Sequence, residues 1–294
     1  MNILKYEVKE KDAGKKVEQI CKRELKISSG LFINLKLNGK LKLNNKICKS
    51  IDTVNVGDVL TADISENEEC DIVPTKLDFD ILYEDDAILV VNKPKEMAVH
   101  PSLKNYDNTL ANGIMYHWKN NGEMHQFHIV NRLDKDTSGI CVIAKNRYSH
   151  ARLCEQIKNK SFKRKYMAVV LGKTDDEGII DAPIERVEDT VMKREVRPDG
   201  KPAVTVYKTI ESTEKYSLVD IELKTGRTHQ IRVHFSYTGH PLAGDWLYGT
   251  EDRELSKGQA LHAYKLSFNH PITDKNMDFE TKIPEYMLKI LKNC

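Results

Sequence analysis

Asn131-Arg132-Leu133-Asp134-Lys135-Asp136-Thr137-Ser138-Gly139 runs directly into Ile140-Cys141-Val142-Ile143-Ala144. In the first part an arginine and an aspartate flank one leucine, and on an extended chain such residues project to the same side. Thr137, Ser138 and Gly139 then close a turn, and the apolar run after them predicts a strand buried in a sheet. The result is a guanidinium and a carboxylate on a short loop anchored by a core strand, a place where catalytic groups are commonly held. Alone, the pair would also fit a surface ion pair before an ordinary strand.

Working outward, residues 87–91 (Ala-Ile-Leu-Val-Val) read as a second buried strand, entered through the turn Tyr83-Glu84-Asp85-Asp86. Pro94 ends it, because proline cannot donate to a ladder. Residues 109–118 and 149–158 carry helical spacing, and the basic run Phe162-Lys163-Arg164-Lys165-Tyr166 leads into another strand over 167–171. Residues 204–210, 216–223 and 261–268 read as further strands, and the charged stretch 185–200 as a mobile loop. Many strands with few helices predict an α+β fold on a mixed, mainly antiparallel sheet.

The N-terminal part reads differently. Val17, Ile20, Cys21 and Leu25 have helical spacing; Ser28 or Ser29 caps a second helix bearing Leu31, Phe32, Leu35 and Leu37; Asn38-Gly39 stops it. Leu41-Lys42-Leu43, Asn44-Asn45 and Lys46-Ile47-Cys48 form a hairpin pattern, asparagine tolerating the positive φ of the turn. A last strand spans 59–64. Between Met1 and Ile64 there are 13 Lys/Arg against 8 Asp/Glu, and in the remainder 33 against 36. A small basic module ahead of a near-neutral larger one suggests an anion-binding accessory unit. We therefore expect a first domain over 1–65, an acidic linker over 66–76 and a larger domain over 77–294. The first resembles the S-four-type RNA-binding domain, and that resemblance implies phosphate contacts from Lys22, Arg23, Lys26, Lys36, Lys40 and Lys42.

The 294 residues are 40% apolar and 31% charged, with a net charge of +2. That is enough apolar content for a large core. No apolar run reaches the roughly 18 residues a membrane helix needs, and the N-terminus lacks a secretory pattern. Six scattered cysteines without a CxxC pair fit reduced, buried thiols, so a cytoplasmic, membrane-free protein is expected. There are no internal repeats, no phosphate-cradling glycine loop of known spacing and no metal-spaced Cys/His set.

The second dense segment is Gly226-Arg227-Thr228-His229-Gln230-Ile231-Arg232-Val233-His234-Phe235. As a helix it would place Arg227, Ile231 and His234 on one face and Thr228, Arg232 and Phe235 on another. Two arginines and two histidines so close together suit a site that fixes a carboxylate or phosphate. His240 to Asp245 and Trp246 to Gly249 close the region with turn chemistry.

Val91-Asn92-Lys93-Pro94, Arg132-Leu133-Asp134 with Thr137-Ser138-Gly139, Lys165-Tyr166 with Ala168 and Gly172, and the 226–234 run occur in this order. Together they resemble the RluA family of RNA pseudouridine synthases over roughly residues 77–284. The resemblance implies isomerisation of uridine to pseudouridine in structured RNA, large-subunit ribosomal RNA ahead of transfer RNA, by a monomer without cofactor or metal. It implies Asp134 as the catalytic carboxylate, Arg232 as the cation that keeps it ionised, and Tyr166 stacked on the target base. Arg132 would fill the gap left by the flipped nucleotide, with Asn131 beside it on the RNA. Ile231, Thr137 and Gly139 would line the pocket. Asn131 stands where the family most often has histidine, a change expected to affect RNA contact or loop packing.

The neighbours also have blander readings. His128, His229, His234 and His262 read as structural hydrogen-bonders, Asp136 as a turn former, Lys93 as structural, and Trp246 and Tyr248 as core. Two other classes fit parts of the pattern. A non-catalytic RNA-binding or ribosome-assembly protein would not require Asp134, Tyr166 and Arg232. A glycosylase or hydrolase would call for a second positioned carboxylate or a metal, and the sequence offers no evident partner.

Overall fold

The computed structural model describes residues 2–65, 70–103, 105–188, 190, 192–249 and 256–292. The N-terminal unit holds β1 (Ile3–Glu7), α1 (Val17–Arg23), α2 (Ser29–Leu37), β2 (Leu41–Leu43), β3 (Lys46–Ile47) and β4 (Val59–Asp63). Its sheet has the order β1-β4-β2-β3. Ser28 caps α2 by accepting the Leu31 N–H. Asn44 and Asn45 carry the hairpin turn at φ 49° and 64°, the conformation two-residue hairpins require. Val17, Ile20, Phe32, Leu35, Leu41 and Leu60 form its core, and Tyr148 and Ile272 from the larger unit pack into the same cluster. Within the larger unit, Arg152 pairs with Asp274 at 2.9 Å.

The larger unit contains β5 (Asp80–Glu84), β6 (Ile88–Lys93), α3 (Leu110–Asn120), β7 (His128–Ile129), β8 (Ser138–Ala144), α4 (Arg147–Lys158), β9 (Lys163–Leu171) and β10 (Glu177–Asp181). Then come β11 (Ile184–Arg186), β12 (Arg194–Val196), β13 (Val204–Ser212), β14 (Tyr216–Leu223), α5 (Gln230–Tyr237), β15 (Leu261–Asn269), β16 (Asn276–Glu280) and α6 (Glu285–Lys292). Among the described residues one ten-stranded sheet organises it, in the order β10-β13-β14-β9-β15-β8-β6-β5, with β16 on β15 and β7 on β8. Every pairing is antiparallel except β8 with β15. This is an α+β fold.

The continuous apolar runs of β6 and β8 are explained by burial on both faces. Leu89, Val91, Cys141 and Ile143 pack with Leu110, Ile114 and Trp118 of α3. Ile88, Val90, Ile140 and Val142 face the other way, with Leu153 of α4. Ile231 and Phe235 of α5 join the α3 side, while Met287, Ile290 and Leu291 of α6 cover Met167, Val169 and Leu218. A helix on each side of a strand removes the polar face that alternation would otherwise show.

Several expectations are corrected. The stretch expected to be a mobile loop over 185–200 contains the β11–β12 ladder, Ile184 opposite Val196 and Arg186 opposite Arg194; its main chain pairs although its side chains are charged. The helix expected from Gly226 begins only at Gln230, because His229 adopts φ 57° and breaks the helical path. Strands β1, β5, β7, β10 and β16 are not evident from the sequence; in β5 and β10 the exposed Ile81, Leu82 and Ile179 blur the apolar alternation, whereas β16 does alternate, with Met277 and Phe279 packed on the core. Of the linker expected over 66–76, residues 66–69 lie outside the described set, while Val73 and Thr75 are hydrogen-bonded to Asn112 of α3. Cys21, Cys48 and Cys141 are buried; Cys294 is outside the described residues. No helix among the described residues is long and apolar enough to cross a membrane.

Candidate active site

The loop between β7 and β8 is pinned at both ends. Asn131 is buried, and its side-chain amide donates to the Ile140 carbonyl at 2.9 Å while its oxygen accepts the Val142 N–H at 2.8 Å. Asn131 lines the wider groove, but its amide is engaged by β8, so loop packing is the half of its expected role that the geometry carries. Leu133 drops into the core, leaving Arg132 exposed and Asp134 half-buried on the opposite side. Thr137 N–H closes the turn onto the Asp134 carbonyl at 3.1 Å.

Below the loop, wholly buried Lys93 donates to the carbonyls of Pro94, Met97 and Lys135 at 2.9, 2.8 and 3.1 Å. Burial lowers its pKa to about 8. Gly139 does not line the pocket; it sits where β8 meets β15, at φ 115°, and a Cβ there would lie 2.3 Å from the Ala263 carbonyl oxygen. Only glycine permits that approach.

Helix α5 supplies the cation. Arg232 is buried and holds two carboxylates at once. Its Nε and Nη2 donate to Asp245 at 2.7 and 2.8 Å, and its Nη1 donates to Asp134 Oδ2 at 3.0 Å. Burial opposes its charge, but Asp245 and then Asp134 raise its pKa above the ordinary arginine value, so it is a permanent cation. Its guanidinium lies 5.0 Å from the Tyr248 ring centroid. Asp245 is fully buried and also accepts the N–H groups of Leu247 and Tyr248 at 3.0 and 3.2 Å.

Arg132, Leu133, Asp134, Thr137, Tyr166, Ile231 and Arg232 surround one pocket of about 80 Å³, with Leu223, Arg227, His229, Gln230 and Leu261. Thr137 is fixed by Gln259 at 3.0 Å. Burial pushes the Tyr166 phenol above its usual pKa, so it stays protonated at neutral pH. The pocket opens into a groove of about 1010 Å³ whose charged walls include Lys135, Lys158, Lys160, Arg164, Lys224 and Arg227. Asp134 is the one carboxylate residue among the groove's described lining. Lys22, Arg23, Lys26, Lys36, Lys40 and Lys42 lie on the N-terminal unit and line neither space. Lys22 pairs with Glu18 at 2.5 Å, and Lys40 donates to Ser65.

Three participants went unread. Asp245 was assigned only to a turn, and its contact with Arg232 depends on how that turn folds back onto α5. His229, expected to be a structural hydrogen-bonder, places Nε2 3.6 Å from Asp134 Oδ2. Tyr248, taken as core, lies under Arg232, and Trp246 is 46% exposed. The dense Arg/His run was the available signal for His229; nothing local marks Asp245.

The sequence pattern described as RNA pseudouridylate synthase matches residues 87–237, which include Asp134, Tyr166 and Arg232. The chain is also 43% identical over 261 residues to a Bacillus subtilis protein named uncharacterized RNA pseudouridine synthase YlyB, covering 87% of this chain and 86% of that one.

The chain belongs to the RNA pseudouridylate synthase family.

This synthase is 35% identical over 303 residues to the ribosomal large subunit pseudouridine synthase D of Vibrio parahaemolyticus, covering 97% of this chain and 93% of the relative. Among solved structures, human RNA pseudouridylate synthase domain containing 4 shares the fold at a TM-score of 0.59 and 23% identity, over 72% of this chain and 93% of that one. The domain containing 1 protein gives 0.59 and 25%, over 70% and 83%. The synthase is an isomerase that converts uridine in RNA to pseudouridine.

Proposed function

We propose that this synthase acts on structured RNA, large-subunit ribosomal RNA before transfer RNA, as a monomer, with Asp134 as its nucleophile. The observation that carries the reading is the place of Asp134: a carboxylate held by a buried arginine at the mouth of a small pocket, inside a groove whose other charged walls are basic. The groove suits a phosphate backbone, and the pocket suits a base turned out of its stack.

In this reading the reaction breaks the bond from ribose to N1 and remakes it to C5, so C5 loses a proton and N1 gains one. The exchange is redox-neutral and no group departs. Arg232 holds the Asp134 carboxylate beside the pocket through Nη1 at 3.0 Å. Tyr166 stacks on the base with its phenol protonated, Ile231 forms the apolar wall with Thr137 beside it, and Arg132 enters the helix gap. The N-terminal unit, as an S-four-type RNA-binding domain over 1–65, adds the exposed cations Lys22, Arg23, Lys26, Lys36 and Lys42, with Lys40 at its edge. The name of the Vibrio relative favours ribosomal RNA as substrate.

The test is to incubate the synthase with unmodified ribosomal and transfer RNA and map pseudouridine at single-nucleotide resolution. New sites in large-subunit RNA are expected. New sites confined to transfer RNA would overturn the substrate assignment.

A further inference from the structure

His229 stands out on three independent counts. It occupies the left-handed region at φ 57°, where a non-glycine residue is uncommon and strained, and such strain concentrates at functional positions. It immediately precedes α5 yet makes no side-chain capping bond, so helix capping does not account for it. Its ring lines the pocket, edge-on to Tyr248, with Nε2 3.6 Å from Asp134 Oδ2 and Nδ1 2.8 Å from the Tyr248 hydroxyl.

The hydrogen-bond roles can be worked out from the partners. The Tyr248 oxygen already accepts the backbone N–H of Arg194, on β12, at 2.9 Å. Burial pushes the Tyr248 phenol up in pKa, so it carries its proton at neutral pH and has a donor to place. Nδ1 of His229 lies within reach of it. On the other side of the ring, an unprotonated Nε2 would turn a lone pair toward a carboxylate, whereas an N–H turns a donor toward it. One arrangement satisfies every group: Arg194 N–H to Tyr248, Tyr248 O–H to Nδ1, and Nε2–H toward Asp134. Burial, against the pull of Asp134, lowers the pKa of the imidazole, which favours this neutral form.

Resting on the reading of Asp134 as nucleophile, we infer that His229 is a positioning residue, held by Tyr248 as the Nε2–H tautomer and directing that donor at Asp134 Oδ2. Arg232 also contacts Oδ2, at 3.0 Å. Both contacts therefore fall on one oxygen, and Oδ1 is the one left to meet the substrate. At 3.6 Å the pair is an ion-pair-range contact rather than a hydrogen bond, and it is expected to shorten when substrate fills the pocket, as catalytic contacts often tighten only in the complex. The chain of bonds also links the β11–β12 ladder to the nucleophile.

Three variants and one spectrum test this. Glutamine carries an amide N–H near the position of Nε2, whereas asparagine tolerates the left-handed backbone but falls short of Asp134. His229→Gln should keep kcat within about threefold of wild type, while His229→Asn lowers kcat roughly ten- to a hundredfold, the scale of one hydrogen bond to a charged group, with RNA affinity unchanged. A role confined to the backbone would reverse that order, because asparagine is the better left-handed residue. In ¹⁵N-histidine spectra of the wild-type protein, His229 should show a protonated Nε2 and a bare Nδ1, and Tyr248→Phe should mix the tautomers. A proton on Nδ1 in the wild type, or unimpaired turnover by His229→Asn, would overturn the inference. Turnover by Asp134→Asn would instead overturn the nucleophile reading beneath it, so the two failures are distinguishable.

Discussion

Replacing Arg232 with lysine keeps the positive charge and removes the geometry. Arginine here makes three charge-assisted bonds, two to Asp245 at 2.7 and 2.8 Å and one to Asp134 at 3.0 Å. An ammonium is a single point and cannot reach both carboxylates in the same directions. Asp245 is wholly buried, whereas the Asp134 side chain is 32% exposed. The lysine therefore stays with Asp245, where an unpaired charge is most costly, and Asp134 loses its partner. One hydrogen bond to a charged group contributes about 1.5–3 kcal/mol, so kcat should fall about 10- to 150-fold. Asp245 also loses one of its two bonds from residue 232, which should lower the melting temperature by roughly 5–10 °C. RNA affinity should change by less than about threefold, because Arg232 is buried away from the groove. The assay is single-turnover release of tritium from RNA labelled at uridine C5, with RNA binding and thermal melting measured on the same preparations. Wild-type turnover by Arg232→Lys would refute the pairing, and wild-type turnover with a lowered melting point would reduce Arg232 to a structural residue.

Gly139→Ala should cost roughly 3 kcal/mol or more, since its Cβ would meet the Ala263 backbone at 2.3 Å and φ 115° is strained for alanine; thermal melting would check this, and an unchanged melting point would remove Gly139 as the reason β8 and β15 can meet. Changing Lys26, Lys36 and Lys42 together to glutamine should make the slope of log affinity against log salt shallower by about 2, and an unchanged slope would show that these cations do not meet phosphate. Asp85 accepts from His270, Ile88 N–H, Ala87 N–H and Tyr83, which together outweigh burial and hold its carboxyl below the usual range. Its contribution is therefore present above the unfolded pKa near 4 and is lost as pH falls through the folded value. Asp85→Asn should be about 1–2 kcal/mol less stable at pH 7, with the gap narrowing below about pH 4 in denaturant titrations; a gap independent of pH would contradict the assignment.

What could be read from the chain was whatever is local. The alternation in Arg132-Leu133-Asp134 placed two charges on one side and a core residue on the other, and β8 announced itself because helices cover both of its faces. Ser28, Asn44 and Asn45 marked a cap and a turn through their own backbone preferences. The start of α5 was misread because the Arg/His pattern continues through 226–229 while His229 turns left-handed, which periodicity does not register. Asp245 stayed hidden because its role lies in a contact made across a turn. The ladder at 184–186 and 194–196 was misread because charged side chains looked solvated while their main chains paired. Strands β5 and β10 were not legible because exposed Ile81 and Ile179 break the alternation that marks a half-buried strand.

Asp134 is the group on which the proposed chemistry turns. Tritium release from RNA labelled at uridine C5, measured for wild type and Asp134→Asn at saturating enzyme, isolates the carboxylate from its size and shape. Release is expected from the wild type and none above background from the variant, at nearly equal RNA affinity. Comparable release by the variant would contradict this and move the chemistry to another group in the pocket.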